Sequence, residues 1–454
     1  MSTSPEVVKL TPVQLPVLEQ LKIVIVGHVD HGKSTLVGRL IYETDSLPEG
    51  KFEQISAQSG RRGMPFEWAF LLDALQAERD QGVTIDTTQI RLRNGQRDYM
   101  IIDAPGHKEF LKNMVTGAAS SEAAVLVIDA LDGVGEQSKR HGYLLHLLGV
   151  EQIAVAINKM DLVDYSEKRF NEIESEYRSY LAELGIDPTY VIPVSAKNGD
   201  CIAAESANIP WYQGPSILGS LEMFNPKPKL DGLPLRMPVQ DVYKFDDRRI
   251  IVGRIDSGTL KLGDRILFSP MNKIANVASF ENWEGFGDGG PVQTEATAGM
   301  SVGITLSEQV FVERGNVVSH TEDPSILTND FRAKLFWLGD DSIQEGNQYK
   351  LKINTAEYRV EINKIEQVLD TDDLSRAPSA SVEKNSVAEV ILRSRVPIAL
   401  DDFADNPATG RFVLVDNYRI VGGGVINLDG FVDRRQRFEV KSTNLNPMLG
   451  RVSL

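Results

Sequence analysis

The chain has very little cysteine: a single residue, Cys201, in 454. One thiol can close no internal bridge, so a disulfide scaffold is excluded and a reducing compartment is expected. In Asn198-Gly199-Asp200-Cys201, with no catalytic-looking partner nearby, that thiol reads as a loop or core residue. Long apolar runs are missing as well. None approaches the roughly 18 residues that span a bilayer. The opening MSTSPEVVKLTPVQLPVLEQ lacks the basic start and apolar core of a secretion signal, so a soluble, cytoplasmic protein is expected. Positive charge is scarce: 48 Lys and Arg against 64 Asp and Glu leave a formal charge of −16. That balance argues against a protein that grips a nucleic-acid backbone over a broad basic face. What is present, 42 % apolar and 25 % charged residues, is the composition of an ordinary folded chain, long enough for about three domains.

Two patterns divide the chain. In the first half, short apolar runs at 21–26, 99–102, 123–128, 153–157 and 190–194 alternate with helix-like stretches at 33–42, 108–116, 137–148 and 167–184. Near-continuous apolar runs suit strands buried on both faces, and strand-helix alternation predicts a doubly wound, mostly parallel α/β sheet. The pattern ends near Phe224, where Asn225-Pro226-Lys227-Pro228-Lys229 reads as a linker. Beyond it, short strands dominate: 235–242, 250–255, the strictly alternating 349–353 and 358–362, then 412–415 and 419–426. Their total exceeds one small barrel, so two β-barrel domains are expected, divided near Ser325. The expected organisation is an extension over 1–20, an α/β domain over 21–224, and barrels over 232–325 and 326–454. Gly422 to Gly424 reads as a barrel bend.

The first chemical signal is Gly27-His28-Val29-Asp30-His31-Gly32-Lys33-Ser34, followed by Thr35. It fits the phosphate-binding pattern G-x-x-x-x-G-K-[ST], after a buried strand and at the start of a helix, which is the context that gives the pattern meaning. Glycines let backbone N–H groups turn toward a phosphate, Lys33 supplies a point charge for the β and γ phosphates, and the Ser34 hydroxyl can ligate Mg²⁺. The positive end of the following helix adds to the grip. His28 and His31 read as residues that shape this loop. Asn158-Lys159-Met160-Asp161 directly follows a strand and reads as the segment that selects the base. A carboxylate at Asp161 accepts from guanine N1–H and the 2-amino group, whereas adenine would leave it unpaired. Asn158 can tie this loop to the phosphate loop, and the Lys159 stem can cover the base. Ser195-Ala196-Lys197, again after a strand, can offer backbone N–H groups to guanine O6.

Asp103-Ala104-Pro105-Gly106 ends another strand. Here Asp103 can reach Mg²⁺ through water, the Gly106 N–H can sense a γ-phosphate, and the imidazole of His107 can orient the attacking water. Upstream, Glu78-Arg79-Asp80-Gln81-Gly82-Val83-Thr84-Ile85-Asp86 forms the other switch segment. Thr84 could ligate Mg²⁺ only when a γ-phosphate holds that loop closed, which makes it a two-state element.

In this order, followed by two β domains, these motifs resemble the translation-factor GTPases, from elongation factor Tu to elongation factor 1-alpha. The run from Asp103 to Gly117 and the long insert before Glu78 are similar to the elongation factor 1-alpha branch, and the Gly-His-Val-Asp-His-Gly form of the phosphate loop resembles that of elongation factors. Gln81, Asn158 to Glu167, Ile209-Pro210-Trp211-Tyr212-Gln213-Gly214-Pro215-Ser216-Ile217, Phe331 to Gly339 and Asn406 to Asp416 resemble a sister branch, the GTPase subunit of sulfate adenylyltransferase. Many members of that branch carry Ser and Asp where this chain has His28 and His31. The second resemblance implies GTP and GDP as ligands with Mg²⁺, and a smaller catalytic subunit as partner. GTP hydrolysis would then drive formation of adenylyl sulfate from ATP and sulfate. The first would imply delivery of aminoacyl-tRNA instead, and a scaffold that holds GTP without turning it over is a third reading. With no second phosphate loop before Leu454, no adenylylsulfate kinase activity is expected.

Overall fold

The computed structural model describes residues 19–47, 50–61, 67–71, 88–95, 97–103, 121–226, 230–244, 248–281, 293–369 and 375–435. They fall into two compact units: the residues up to 226 except 142–149 form the first, and 142–149 with the residues from 227 onward form the second.

The first unit is built on six strands in the order β2-β3-β1-β4-β5-β6. These are β1 (Glu19–Gly27), β2 (Thr88–Asn94), β3 (Arg97–Asp103), β4 (Ala123–Asp129), β5 (Gln152–Asn158) and β6 (Tyr190–Pro193). All neighbours run parallel except β2 and β3. The continuous apolar runs have the expected cause: every residue of β4 is buried, and Leu21, Ile23, Val24 and Ile25 of β1 are fully so. Edge strand β2 was not foreseen. Its Ile90 and Leu92 are buried while Arg91 and Arg93 face solvent, a period-two alternation that runs over only a few residues.

Helices α1 (Lys33–Glu43), α2 (Lys51–Arg61), α3 (Glu136–Leu147), α4 (Glu167–Glu183) and α5 (Ile217–Met223) accompany the sheet. Helix α4 starts at Ser166, whose hydroxyl accepts from the Arg169 N–H, and α5 starts at Ser216, which does the same for Gly219. The helix expected at 108–116 lies outside the described residues. Among the described residues, no helix is long and apolar enough to cross a membrane.

The second unit holds two antiparallel barrels. The first closes through six strands in the order Arg265–Ser269, Lys273–Glu281, Ser301–Leu306, Ile250–Arg254, Met237–Tyr243 and Val317–His320. In the second, the order is Gln348–Ile353, Arg411–Asp416, Arg419–Asn427, Ile326–Trp337, Val387–Leu400 and Ala356–Leu369, which pairs back onto Gln348–Ile353. Closure pairs each of these strands on both sides, and the short strand Arg376–Ala377 adds onto the end of Ala356–Leu369. The three glycines read as a bend sit in an unbroken ladder against Ile326–Trp337, while the ladder against Arg411–Asp416 shifts register beside Gly422. A Cβ on Gly424 would lie 2.3 Å from the Lys334 carbonyl oxygen, and one on Gly422 would meet the Trp337 ring at 2.9 Å. Close approach of neighbouring strands requires Gly422 and Gly424, whereas a Cβ on Gly423 would make only ordinary contacts.

Candidate functional site

Strand β1 delivers the chain into the loop 27–32, and α1 takes it away. Gly27 has φ 153° and lies so close to β4 that a Cβ would stand 2.5 Å from the Val127 carbonyl oxygen. Gly32 has φ 86°, and a Cβ there would meet Asn158 Nδ2 at 2.4 Å. Both positions therefore need glycine for reasons of space and of backbone conformation. Lys33 is buried and arches back over the loop, its Nζ donating to the carbonyls of Gly27 at 2.8 Å and His28 at 2.7 Å. Burial pushes its pKa down, while the carboxylates of Asp103 and Asp30 pull the other way.

His31 is buried, with Nδ1 3.2 Å from the Val127 carbonyl and Nε2 3.6 Å from Asp132, while the exposed His28 ring meets it edge-on at 5.4 Å. Burial lowers the His31 pKa. These contacts make His31 a strut between the loop and the end of β4.

Asp103 ends β3 with its carboxyl buried, and that burial pushes its pKa up to about 6 against the opposing charge of Lys33. Its Oδ1 is buried without a hydrogen-bond partner among the described residues. An anionic oxygen left in that condition fits a hard divalent cation, which takes oxygen ligands and keeps several of its waters. Ser34, half-buried in the first turn of α1, adds a hydroxyl of the same chemistry. Thr35 is half-buried beside it; Val29 is half-buried and Asp30 exposed within the loop, where Asp30 has φ 65°. Among the described residues, no cluster of three or more His, Cys, Asp or Glu could hold a metal by itself. Thr84, Gly106 and His107 lie outside the described residues.

The loops after β5 and β6 converge beside this turn. Asn158 is buried and bridges two loops: its Nδ2 donates to the His31 carbonyl at 2.8 Å, and its Oδ1 accepts from the Ala196 N–H at 3.0 Å. Lys159 adopts φ 62° and places its Nζ 2.7 Å from Asp129, the buried residue that ends β4. Asp161 is half-buried and accepts at Oδ1 from the Ser195 hydroxyl at 2.7 Å. Ser195 in turn accepts at Oγ from the Asn198 N–H at 3.3 Å. Of the three N–H groups expected to face a base, that of Ser195 bonds the Asp200 carbonyl and that of Ala196 bonds Asn158. Only the Lys197 N–H has no partner among the described residues.

Some supporting residues escaped the sequence reading. Asp129 was visible only as a polar residue closing an apolar run. Tyr165 is less obvious still: its hydroxyl donates to Asp200 at 2.8 Å and accepts from Asn198 Nδ2 at 3.1 Å, and its carbonyl accepts from Trp211 Nε1 at 3.0 Å. Nothing in local spacing announces that bracket. Cys201 is buried, and burial raises its thiol pKa, in keeping with a packing role.

Comparison with known proteins supplies a family. The elongation factor Tu GTP binding domain matches residues 19–234, and a GTP-eEF1A C-terminal domain-like segment matches 330–427. Elongation factor 1-alpha of Pyrobaculum islandicum is 36 % identical over 434 residues, covering 92 % of this chain and 96 % of that protein. The chain belongs to the elongation factor Tu-like GTPase family. Within that GTPase family, sulfate adenylyltransferase subunit 1 of Aeromonas hydrophila is 33 % identical, covering 89 % of this chain and 86 % of its own length. The bifunctional enzyme CysN/CysC of Mycobacterium tuberculosis is 34 % identical, and this chain spans 65 % of its length. Relatives named for translation and for sulfate activation match to a similar degree.

Proposed function

We propose that the chain binds and hydrolyses GTP, and that it serves as the GTPase subunit of a sulfate adenylyltransferase. The adenylyl transfer itself would take place on a separate, smaller catalytic subunit. In this reading residues 21–224 form the GTP domain, and the barrels at 232–325 and 326–454 follow it. Gly27 to Thr35 hold the phosphates, Asn158, Lys159 and Asp161 hold guanine, and Ser195 to Lys197 close over its 6-oxo edge. Lys197 supplies the N–H to O6, since Ala196 already donates to Asn158. Ser34, Thr84 and Asp103, the last through water, would hold Mg²⁺, which when bound offsets charge on the β and γ phosphates. His107 orients the attacking water, and Thr84 and Gly106 sense whether the γ-phosphate is present.

Hydrolysis of GTP would offset formation of adenylyl sulfate, whose mixed anhydride is unfavourable to make from ATP and sulfate. Such coupling requires the GTP and GDP forms to differ in affinity for the partner or its intermediates.

One observation carries the choice of branch. Two stretches that resemble the sulfate-activating subunits, Asn158 to Glu167 and Ile209 to Ile217, pack on each other through the Trp211 to Tyr165 hydrogen bond. The Trp211 ring also lies 5.2 Å from that of Phe170. Together they buttress the base loop as one unit, so the resemblance falls on a working part of the site. A second reading, delivery of aminoacyl-tRNA, is favoured by His31 acting as a strut in its elongation-factor form of the loop.

The discriminating experiment mixes the protein with a small adenylyltransferase subunit, ATP and sulfate, and follows GTP turnover. Stimulation supports the first reading; no stimulation together with tight aminoacyl-tRNA binding reverses it.

A further inference from the structure

A residue far from every motif reaches the base loop. Trp68 lies in the described stretch 67–71, and its indole Nε1 donates to the Lys197 carbonyl oxygen at 3.1 Å. The indole is held in place from several sides. The Arg39 guanidinium sits 4.5 Å from the ring centroid, Phe52 stacks at 6.0 Å with planes 23° apart, and Tyr42 approaches to 5.0 Å. Arg39 is itself fixed by Glu43 one turn along α1, at 2.6 Å. Gly38 completes the seat, because a Cβ there would stand 2.1 Å from the Trp68 carbonyl oxygen.

A ring clamped in this way cannot swing its N–H off the carbonyl without breaking several contacts at once. The base loop also touches the clamp a second time: a Cβ on Gly199 would meet Arg39 Nη2 at 2.4 Å. Helix α1 thus begins at the phosphate loop and ends by holding the opposite side of the base loop.

We propose that Trp68 is a positioning residue for purine selection: by gripping the Lys197 carbonyl it fixes the loop whose remaining N–H reads the 6-oxo group of guanine. The proposal rests on the assignment of the 195–197 loop to the base. Its consequence is selective. Losing the indole N–H loosens the contact to O6 and leaves the phosphate grip and the Asp161 contacts as they are.

The test compares GDP with 2-aminopurine riboside diphosphate, which lacks the oxygen at C6 and with it the N1–H, so the change from parent to variant is read separately for each ligand. In Trp68→Phe, which keeps an aromatic face for Arg39 and loses the donor, GDP affinity is expected to fall about ten-fold, the scale of one hydrogen bond. Affinity for the analogue should stay unchanged. Equal losses for both ligands, or none, would overturn the proposal. So would a normal Trp68→Phe beside an impaired Trp68→Leu, since packing of the ring would then be the lever. In the unsubstituted protein, the Trp68 indole proton should exchange more slowly with GDP bound than with the analogue, and equal rates would count against the idea as firmly. Asp161→Asn separates this from the underlying assignment. If that variant switches to xanthosine diphosphate while Trp68→Phe is silent, only the Trp68 proposal fails; if guanine preference survives it, the base site lies elsewhere.

Discussion

Asp161 and Lys33 show how different two charged residues can be in one site. Asp161 is half-buried and steadied by one hydroxyl, and in the proposed reading it discriminates between bases. Asp161→Asn exchanges an acceptor for a donor, and xanthine presents an acceptor where guanine has its 2-amino group. The expected outcome is a reversal of preference from GTP to XTP, read by competition binding. Lys33 is buried and its ammonium already bonds two loop carbonyls. Lys33→Ala removes both the loop's internal tie and the charge proposed to face the phosphates, so nucleotide binding should vanish. Retained micromolar affinity would contradict the loop assignment.

His141 adds a pH dependence that no motif signals. It is buried on α3, and burial, aided by the charges of Lys33, His28, Arg140 and His31, pushes its pKa down to about 3. The folded state therefore binds fewer protons than the unfolded chain between pH 6.5 and 3, and stability must fall as pH drops through that window. The effect is on the order of a few kcal/mol. His141→Leu should flatten that part of the acid limb in urea titrations. His31, lowered in the same direction, should leave a smaller slope behind.

At the level of elements, strands β1, β3, β4, β5 and β6 were legible because burial on both faces writes itself as an apolar run. Helices α1, α3 and α4 were legible from the stretches between them. Strand β2 was not, since its alternation runs over only a few residues. Helix α2 was hidden too: its Lys51-Phe52-Glu53-Gln54-Ile55 start carries few apolar residues. Glycines were the least readable, because what a glycine avoids is a neighbour distant in sequence. Gly38 illustrates this. In a helix interior, alanine normally stabilises by about 1 kcal/mol over glycine. Here the added Cβ would collide with the Trp68 backbone, which cannot yield as a flexible side chain would. Gly38→Ala should therefore destabilise, by about 1–3 kcal/mol as for other overpacked sites. A denaturation midpoint that rose instead would mean the 67–71 segment does not rest on α1.

For the molecule as a whole, the two barrels of the second unit are joined by a buried ion pair that no pattern in the sequence could reveal. Arg236 comes just before the first strand of one barrel and Asp401 just after a long strand of the other. Its guanidinium binds both carboxylate oxygens, with Nε at 2.8 and 2.9 Å and Nη2 at 2.8 Å. Thr409 donates to the same carboxylate at 2.6 Å, and Nη1 donates to the Leu235 and Asp323 carbonyls at 2.8 Å each. Both residues are less than a tenth exposed.

A second bond, from Asn406 Nδ2 to the Ser257 hydroxyl at 2.7 Å, crosses nearby. If the nucleotide state is transmitted to a partner, barrels bonded in this way respond as one body and not as two. Asp401→Ala would strand a guanidinium in a dry interface, at a cost of about 3–5 kcal/mol. Replacing both residues by apolar ones of similar volume, Arg236→Met with Asp401→Leu, removes the stranded charge and should recover most of that loss. If the apolar surface around the pair is what joins the barrels, the double variant will unfold in one transition near the parent's midpoint. Two separate transitions in the double variant would mean that the ion pair, and not the apolar surface around it, makes the barrels cooperative.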